Sequence, residues 1–479
     1  MLDEAGGRRA DVCHAHDRYA NIEANCLAER IEDHAGRVIL ATHLRENLDG
    51  AFVPGPLPFL SGRRRRRILC SLTATRMVPS KRRRRIAICA VVGAAFALCA
   101  GTSPAEQDLA PVFTDSEIKT ILSHGPWPAP AQADPSNRVS GKPDAIEFGT
   151  RLFFDQRLSK SGTVACASCH VPERNWTDNL TRGVGMSEVD RNTPTLMNLA
   201  ASRWYGWDGA SDSLWSQSLR PILDERELAA TPRHVAQLVR NDEQLSCRYR
   251  KAFATPPSPA DDEAVLVDVG KALAAFQETL VSARTPFDRF RDALAGAERP
   301  SPEIYSEAAR RGLKIFIGKG GCSTCHSGPN FTSGEFFNTG LSRFAPRGQP
   351  DPGRQAGIRQ LMESRFNLLS PYNDDKTGTS TARTREASLE KTSFGEFKVP
   401  SLRNLMLTAP YGRDGSVETV AEVVRHYAGL DPVSLHAKDG RPAKPLNLTP
   451  QEQTDLVVFL QSLSSFTNSW RPDDGGQCR

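Results

Sequence analysis

The chain has 479 residues, of which 39% are hydrophobic and 24% charged, with a formal net charge of +5; that is enough for two or three domains with buried cores. The positive balance is local, because residues 1–105 carry 17 Lys and Arg against 10 Asp and Glu and the rest of the chain sums to −2. Bulk charge therefore offers no basic face for nucleic acid, and no stretch reaches the roughly 18 apolar residues that propose a membrane span.

Residues 1–76 show no convincing helical or strand period and include the run Arg63 to Arg67. From Met77 the pattern changes to the basic segment Lys81-Arg82-Arg83-Arg84-Arg85, the apolar run Ile86 to Ala100 and the small residues of Ser103-Pro104-Ala105. That run is too short to span a bilayer, so 77–105 reads as a signal peptide and 1–76 as a non-native upstream extension; a cytoplasmic extension with an uncleaved anchor is the alternative. Residues 106–143 form a Pro-rich arm with a short predicted helix near Asp115–Ser123.

A predicted helix over Ile146–Phe154 precedes Cys166-Ala-Ser-Cys-His170. Two thiols one helical turn apart can each add to a haem vinyl group while the adjacent imidazole reaches the iron. A lone C-x-x-C would equally suit a zinc half-site or a redox dithiol. Here the pattern returns as Cys322-Ser-Thr-Cys-His326, again with the histidine and again after an apolar helical segment, Leu313, Ile315 and Phe316 repeating Leu152, Phe153 and Phe154. Two covalently bound c-type haems are the expected cofactors, and their attachment on the periplasmic side agrees with export.

After the first motif comes a long irregular section to about Pro221, then predicted helices over Pro232–Asn241 and Asp262–Ser282, the latter with Val265, Val269, Leu273, Phe276 and Leu280 on one face. Pro300-Ser301-Pro302 marks a boundary between a first haem domain (144–300) and a second (301–465), which opens with a helix over Glu307–Phe316. The two histidines lie 156 residues apart, so each haem has a domain of ordinary size. Residues 344–395, rich in Arg, Ser, Thr and Gly, read as a surface excursion without regular structure. A final helix has Thr449 as N-cap, Pro450 at its first position and Glu452 completing a capping box, with Leu456, Phe459, Leu460 and Leu463 on one face; 466–479 is a tail. Of eleven cysteines, five precede residue 105 and four belong to the motifs; Cys247 and Cys478 remain, able to pair in an oxidising compartment, though their separation in space is not legible from sequence.

The ordered motifs Leu152-Phe153-Phe154-Asp155, the first C-x-x-C-H, Arg191-Asn192-Thr193-Pro194-Thr195, Trp207-Asp208-Gly209, the second C-x-x-C-H with Asn330-Phe331-Thr332, Val399-Pro400-Ser401-Leu402-Arg403-Asn404 and Thr408-Ala409-Pro410-Tyr411 resemble the bacterial di-haem cytochrome c peroxidase family, including its MauG-like branch. The resemblance implies a mainly α fold of two cytochrome c-like haem domains with an interface between them. It implies that the N-terminal haem is the peroxide site, with Gln217 and Glu227 as its distal groups, and proton transfer between the two peroxide oxygens suits a desolvated carboxylate with an amide beside it. Trp207 matches the electron relay between haems, and is otherwise a packing aromatic. Asn192, with the carbonyls of Thr408 and Pro410, matches a calcium site whose oxygen donors suit a hard cation. Met186 is a weak iron contact or loop packing.

Two departures from the peroxidase pattern matter. No histidine lies between His170 and His234, which implies a first haem open on its far side in the resting ferric state. Arg413 stands where the family has a histidine, as a propionate partner or in a surface salt bridge, and counting on to the family's second-haem ligand reaches Tyr427 instead of methionine. Val420, Val423, Val424 and Tyr427 share one helical face, so Tyr427 points inward; Met406 and His426 are the rival ligands. An exported peroxidase is the leading expectation, reducing hydrogen peroxide with electrons from a small donor protein, a cytochrome c or a cupredoxin. A MauG-like enzyme oxidising residues of a partner protein and a non-catalytic di-haem electron carrier are the alternatives. N-terminal sequencing of the mature protein is expected to start just after Ala105; a start near residue 1 would overturn the signal-peptide reading.

Overall fold

The computed structural model describes residues 39–42, 68–71, 113–130, 132–296, 305–341, 348, 350–388, 393–429, 446–465 and 476–478. The expected signal peptide, 77–105, lies outside the described residues. The chain divides into two units, 1–102 and 103–479. In the first, β1 (Ile39–Thr42) pairs antiparallel with β2 (Ile68–Ser71), Ile39 opposite Ser71. The sequence gives no sign of this hairpin, because four-residue segments are too short to establish an alternating period.

The second unit is mainly helical and has two principal cores. α1 (Asp115–Leu122) opens it with a capping box in which Thr114 and Glu117 bond each other's backbone amides. The first core is built on α7 (Asp262–Gln277), which buries every residue from Val265 to Gln277. α2 (Pro143–Phe153), α4 (Leu214–Leu223) and α5 (Pro232–Asn241) pack around it, and α6 (Glu243–Phe253) packs on α2 and α5. A helix buried all round is a central one, so the single apolar face expected for it is too narrow a reading. The second core gathers α1, α8 (Pro286–Ala295), α9 (Glu307–Ile317), α12 (Val420–Ala428) and α13 (Pro450–Gln461). α13 has the expected Thr449 cap, Pro450 and Glu452.

Between the motifs and these helices lie α3 (Cys166–Cys169), α10 (Arg354–Glu363), α11 (Ala382–Glu386) and a two-residue antiparallel pair, β3 (Phe336–Phe337) with β4 (Phe397–Lys398). Two sequence expectations fail here. The section before Pro221 is not irregular throughout, since α4 runs through it with Pro221 inside the helix. Proline lacks an N–H and normally ends a helix, but near the last turn it forfeits only one bond. The excursion 344–395 is not a structureless surface loop either. α10 buries Arg354, Gly357, Ile358 and Leu361, and Phe366 and Leu368 join the first core. Leu368 N donates to Asp212 Oδ2 (2.9 Å) and Lys271 Nζ to Tyr372 O (2.8 Å), so a segment from the second half of the chain clasps the first. Cys247 and Cys478 form a disulfide with a Cα–Cα distance of 6.0 Å; closing a loop of 231 residues removes on the order of 5 kcal/mol of unfolded-chain entropy. No described helix is long and apolar enough to cross a membrane.

Each haem-motif helix meets its partner helix through a glycine four residues before a phenylalanine: Gly149 and Phe153 on α2, Gly312 and Phe316 on α9. A Cβ at Gly149 would fall 2.0 Å from Ala272 O, and one at Gly312 2.0 Å from Asp455 O. Backbone cannot yield as a side chain does, so Gly312→Val is expected to cost about 3 kcal/mol or more and to lower the thermal midpoint by several degrees. An unchanged midpoint in a differential scan would refute the backbone crossing.

Candidate active site

Both motifs fold into the same turn. His170 N donates to Cys166 O (2.9 Å) and His326 N to Cys322 O (2.9 Å). Each imidazole is then oriented by its Nδ1, which lies 3.0 Å from Trp176 O in the first case and 3.1 Å from Phe331 O in the second. A carbonyl can only accept, so Nδ1 carries the proton and Nε2 keeps its lone pair, the state an iron ligand needs. Burial holds both rings below the usual histidine pKa, His326 at about 4. The four motif thiols are not disulfide-bonded, and burial pushes those of Cys166, Cys169 and Cys322 up to about 12, 11 and 11.

One cavity of about 1430 Å³ reaches both motifs, larger than the roughly 300–1,000 Å³ that a single small ligand fills. Its wall includes thirteen of the residues singled out by the sequence: Cys166, Cys169, His170, Asn192, Trp207, Gln217, Glu227, Cys322, Cys325, His326, Thr408, Pro410 and Tyr427. The residues fit two haems. Thiols and lone-pair nitrogens stand in the right pairs, the wall is largely apolar, and Arg191, Lys398 and Arg413 add the cations that haem propionates require. Lys398 has no acidic partner among the described residues, and burial alone takes its ammonium to about 8.

The two ends of the cavity differ. At the first motif, α4 presents Gln217, whose Oε1 is buried without a hydrogen-bond partner among the described residues. The turn after α4 presents Glu227, whose backbone is gripped by the loop following the motif: Met186 N donates to Glu227 O and Ser187 N to Arg226 O, both 2.9 Å. Gly185 allows that approach, since a Cβ there would lie 2.6 Å from Glu227 Cα. Burial, assisted by Asp224, raises the Glu227 carboxyl to about 7 against the opposing pull of Arg220 and Arg226. Met186 is 42% exposed and lies off the cavity wall.

At the second motif, α12 presents Tyr427. Burial raises its phenol to about 12, although a hydrogen bond with Thr339 works the other way. Of its rivals, His426 turns its Nε2 to Thr339 O (2.9 Å), and Met406 packs on the second core; neither lines the cavity. The remaining described histidines are also engaged elsewhere, His124 with Thr120 O and His326 O and His234 with Arg157 O. Among the described residues only His170 and His326 bring imidazoles to the wall.

Trp207 is fixed through its backbone and its ring nitrogen. Its Nε1 donates to Asn192 O (2.9 Å), and its carbonyl accepts from Lys398 N (2.9 Å). Asn192 in turn donates from its backbone to Arg413 O (2.8 Å) and from Nδ2 to Leu180 O (2.8 Å), and it lines the same cavity as Thr408 and Pro410. Arg413 is not in a surface salt bridge. It is buried, 3.2 Å from Asp351 Oδ2 and 4.4 Å over the Phe397 ring.

Sequence reasoning missed Arg220, Gln360, Ser364, Phe366 and Lys398 as wall residues. Arg220 was recoverable, because it lies three residues from Gln217 and shares its face once α4 is recognised; nothing local marks Gln360.

A sequence profile described as di-haem cytochrome c peroxidase matches residues 143–296. The methylamine utilization protein MauG of Methylorubrum extorquens is 30% identical over 388 residues, 78% of this chain and 92% of that one. The cytochrome c551 peroxidase of Nitrosomonas europaea is 30% identical over 323 residues, 67% of this chain and 80% of that one. A crystal structure of a MauG-like protein associated with microbial copper homeostasis superposes with a TM-score of 0.53 at 26% identity, covering 72% of this chain and all of the other.

EPR and optical spectra of the ferric holoprotein are expected to show one high-spin and one low-spin haem, with Tyr427→Phe altering only the low-spin signal. A low-spin signal untouched by the substitution would return the ligand to His426 or Met406.

Proposed function

Because the chain belongs to the di-haem cytochrome c peroxidase family, we propose that it is an oxidoreductase that reduces hydrogen peroxide with electrons from a small redox protein, a cytochrome c or a cupredoxin. The balance is one peroxide, two electrons and two protons to two waters. The observation that carries this reading is the presence, in the lining of one cavity, of a Gln217 amide oxygen buried without a hydrogen-bond partner among the described residues and a Glu227 carboxyl at about 7.

Cys166 and Cys169 would hold the first haem and Cys322 and Cys325 the second, with His170 and His326 as proximal ligands and Tyr427 closing the second iron. Haem, when attached, supplies the iron that binds peroxide and the capacity to store its oxidising equivalents. The protein supplies the proton chemistry. Ionised Glu227 takes the proton from the inner peroxide oxygen and returns it to the outer one, so that the outer oxygen leaves as water. A carboxyl near 7 is suited to both halves of that exchange, since either protonation state is within reach at neutral pH. Gln217 orients the peroxide, and the apolar wall excludes bulk water that would compete for the proton. Trp207, anchored to both halves of the chain, is the electron relay, and Asn192 with the carbonyls of Thr408 and Pro410 would hold a calcium ion. Export to the periplasm is consistent with the Cys247–Cys478 disulfide.

A second reading keeps the same cavity and changes the reductant: tyrosine at the second iron, with the similarity to MauG, favours oxidation of residues on a partner protein. Steady turnover of peroxide with reduced cytochrome c supports the first reading; slow donor oxidation with a long-lived high-valent spectrum supports the second.

The rate of reaction with peroxide, followed by stopped-flow absorbance, is expected to rise with pH across a midpoint near 7, because the carboxylate is the form that accepts a proton. Glu227→Gln is expected to lower that rate by about 100-fold or more and to abolish the inflection. An unchanged rate would favour a di-haem electron carrier.

A further inference from the structure

We propose that Arg220 is a further catalytic residue of the peroxide pocket: its guanidinium binds anionic oxygen at the first haem, and Gln360, delivered from the other half of the chain by α10, is the residue that positions it. The inference rests on the peroxidatic reading given above.

Three observations carry it. Arg220 and Gln217 stand at i and i+3 on α4, on the same face, and both line the cavity. Their polar ends converge beside the backbone of Gly206: a Cβ built there would lie 3.4 Å from Arg220 Nη1, 3.6 Å from Gln217 Oε1 and 3.3 Å from Asp208 Oδ1. Gly206 has a φ of +77°, so the point of convergence is kept clear by a residue whose backbone conformation disfavours any side chain. Third, Arg220 Nη2 donates to Gln360 Oε1 at 2.8 Å, a bond made by the excursion on which the sequence offered no structure.

Arg220 also differs from the other arginines on the wall in what holds it. Arg191 pairs with Asp208 at 3.0 Å and with Asp351 at 3.2 Å, Arg413 with Asp351 at 3.2 Å, and Arg226 with Asp190 at 2.7 Å. Arg220 has a neutral amide at hydrogen-bond distance, and its nearest carboxylate oxygen, Asp208 Oδ1, lies 4.0 Å away on a side chain that Arg191 already engages. A guanidinium held by an amide keeps its direction without losing its charge. It also acts on Glu227, pulling against the burial that raises that carboxyl.

The chemistry needs such a group. When the O–O bond of bound hydroperoxide breaks heterolytically, the bonding pair leaves with the outer oxygen, which becomes water on taking the proton carried by Glu227. The two reducing equivalents are those the donor protein supplies through the haems. Negative charge builds on the outer oxygen before the proton arrives, and a fixed N–H donor bearing positive charge stabilises it most when water is excluded. Gln217, a neutral amide, orients peroxide but carries no charge to offset that build-up.

The test is an optical titration of the ferric holoprotein with fluoride and azide as anionic ligands and with imidazole as a neutral one. Arg220→Ala is expected to weaken fluoride and azide binding at least tenfold and to leave imidazole binding within twofold. Arg220→Gln, which keeps hydrogen bonding but not charge, should lose as much for the anions, Arg220→Lys should recover part of it, and Gln360→Ala should show a loss of about threefold. Arg220 is 40% exposed along its side chain, and retained imidazole binding shows that the pocket survives its truncation. Fluoride and azide affinities within twofold of wild type in both Arg220→Ala and Arg220→Gln would overturn the role of Arg220 and leave the peroxidatic reading standing. A wild-type protein that binds none of the three ligands would instead sink the open first haem, and the inference with it.

Discussion

The Trp207-Asp208-Gly209 turn is the constraint on which the cavity depends. Its tryptophan is tied at the indole nitrogen to Asn192 O and at the backbone carbonyl to Lys398 N, so residues from the first and second halves of the chain hold the same residue. α10 packs on the turn with almost no separation: a Cβ at Gly357 would lie 2.1 Å from Asp208 O. Arg354 then sits 4.2 Å from the Trp204 and Phe336 rings and donates to Gly209 O at 2.7 Å. The turn's carbonyls, ring nitrogen and side chains are thus committed to three separate segments. Moving one would move the wall between the motifs, which is why a surface-polar stretch such as 350–388 is held to a defined structure at all.

Much of the site was legible because its chemistry is local. C-x-x-C-H states its own geometry, and Tyr427, reached through the family resemblance, shares a face with Val420, Val423 and Val424 at i, i+3, i+4 and i+7 on a helix capped by Thr419 and Glu422. The helix opening on Pro232 and the one opening on the Thr449–Pro450–Glu452 capping box were equally readable, whereas α8, which has the same signals at Thr285, Pro286 and Asp288, was not read from the sequence. What was not legible depends on distant partners. α4 was hidden by Pro221, which argues against a helix until the burial of Trp215, Leu219 and Ile222 is weighed against one missing hydrogen bond. α10 was hidden by composition, since Arg354 and Gln360 look like solvent-facing residues until Trp204 and Arg220 appear opposite them. The surface salt bridge, one of two readings of Arg413, failed for the same reason: an arginine in sequence is a surface residue by default, and only Asp351 and Phe397 make it a buried one.

The two halves are built with one set of devices. In each, a glycine lets the first helix cross its partner's backbone, a phenylalanine one turn on fills the core, and a backbone carbonyl sets the tautomer of the motif histidine. They differ in what each brings to the cavity wall. On one side it is an amide, a carboxyl and a guanidinium carried by α4 and the turn after it; on the other it is a phenol carried by α12. The repeated devices therefore fix the placement of the two motifs, and the walls beside them are chemically unlike.

Desolvation acts on both walls in the same direction, yet its consequences are opposite. A carboxyl starts well below neutrality, so burial brings Glu227 up to about 7, where the charged and neutral forms are nearly equal in free energy and a proton moves at little cost. A phenol starts near 10, so the same burial takes Tyr427 to about 12 and leaves it neutral at any physiological pH unless a cation compensates its oxygen. One wall thereby carries a group that titrates in the neutral range, and the other a phenol that stays protonated there. A methionine in place of Tyr427 would be insensitive to this distinction, and a glutamate on a solvated loop would not reach it. The difference between the two walls follows from applying one physical effect to two side chains with different intrinsic acidities.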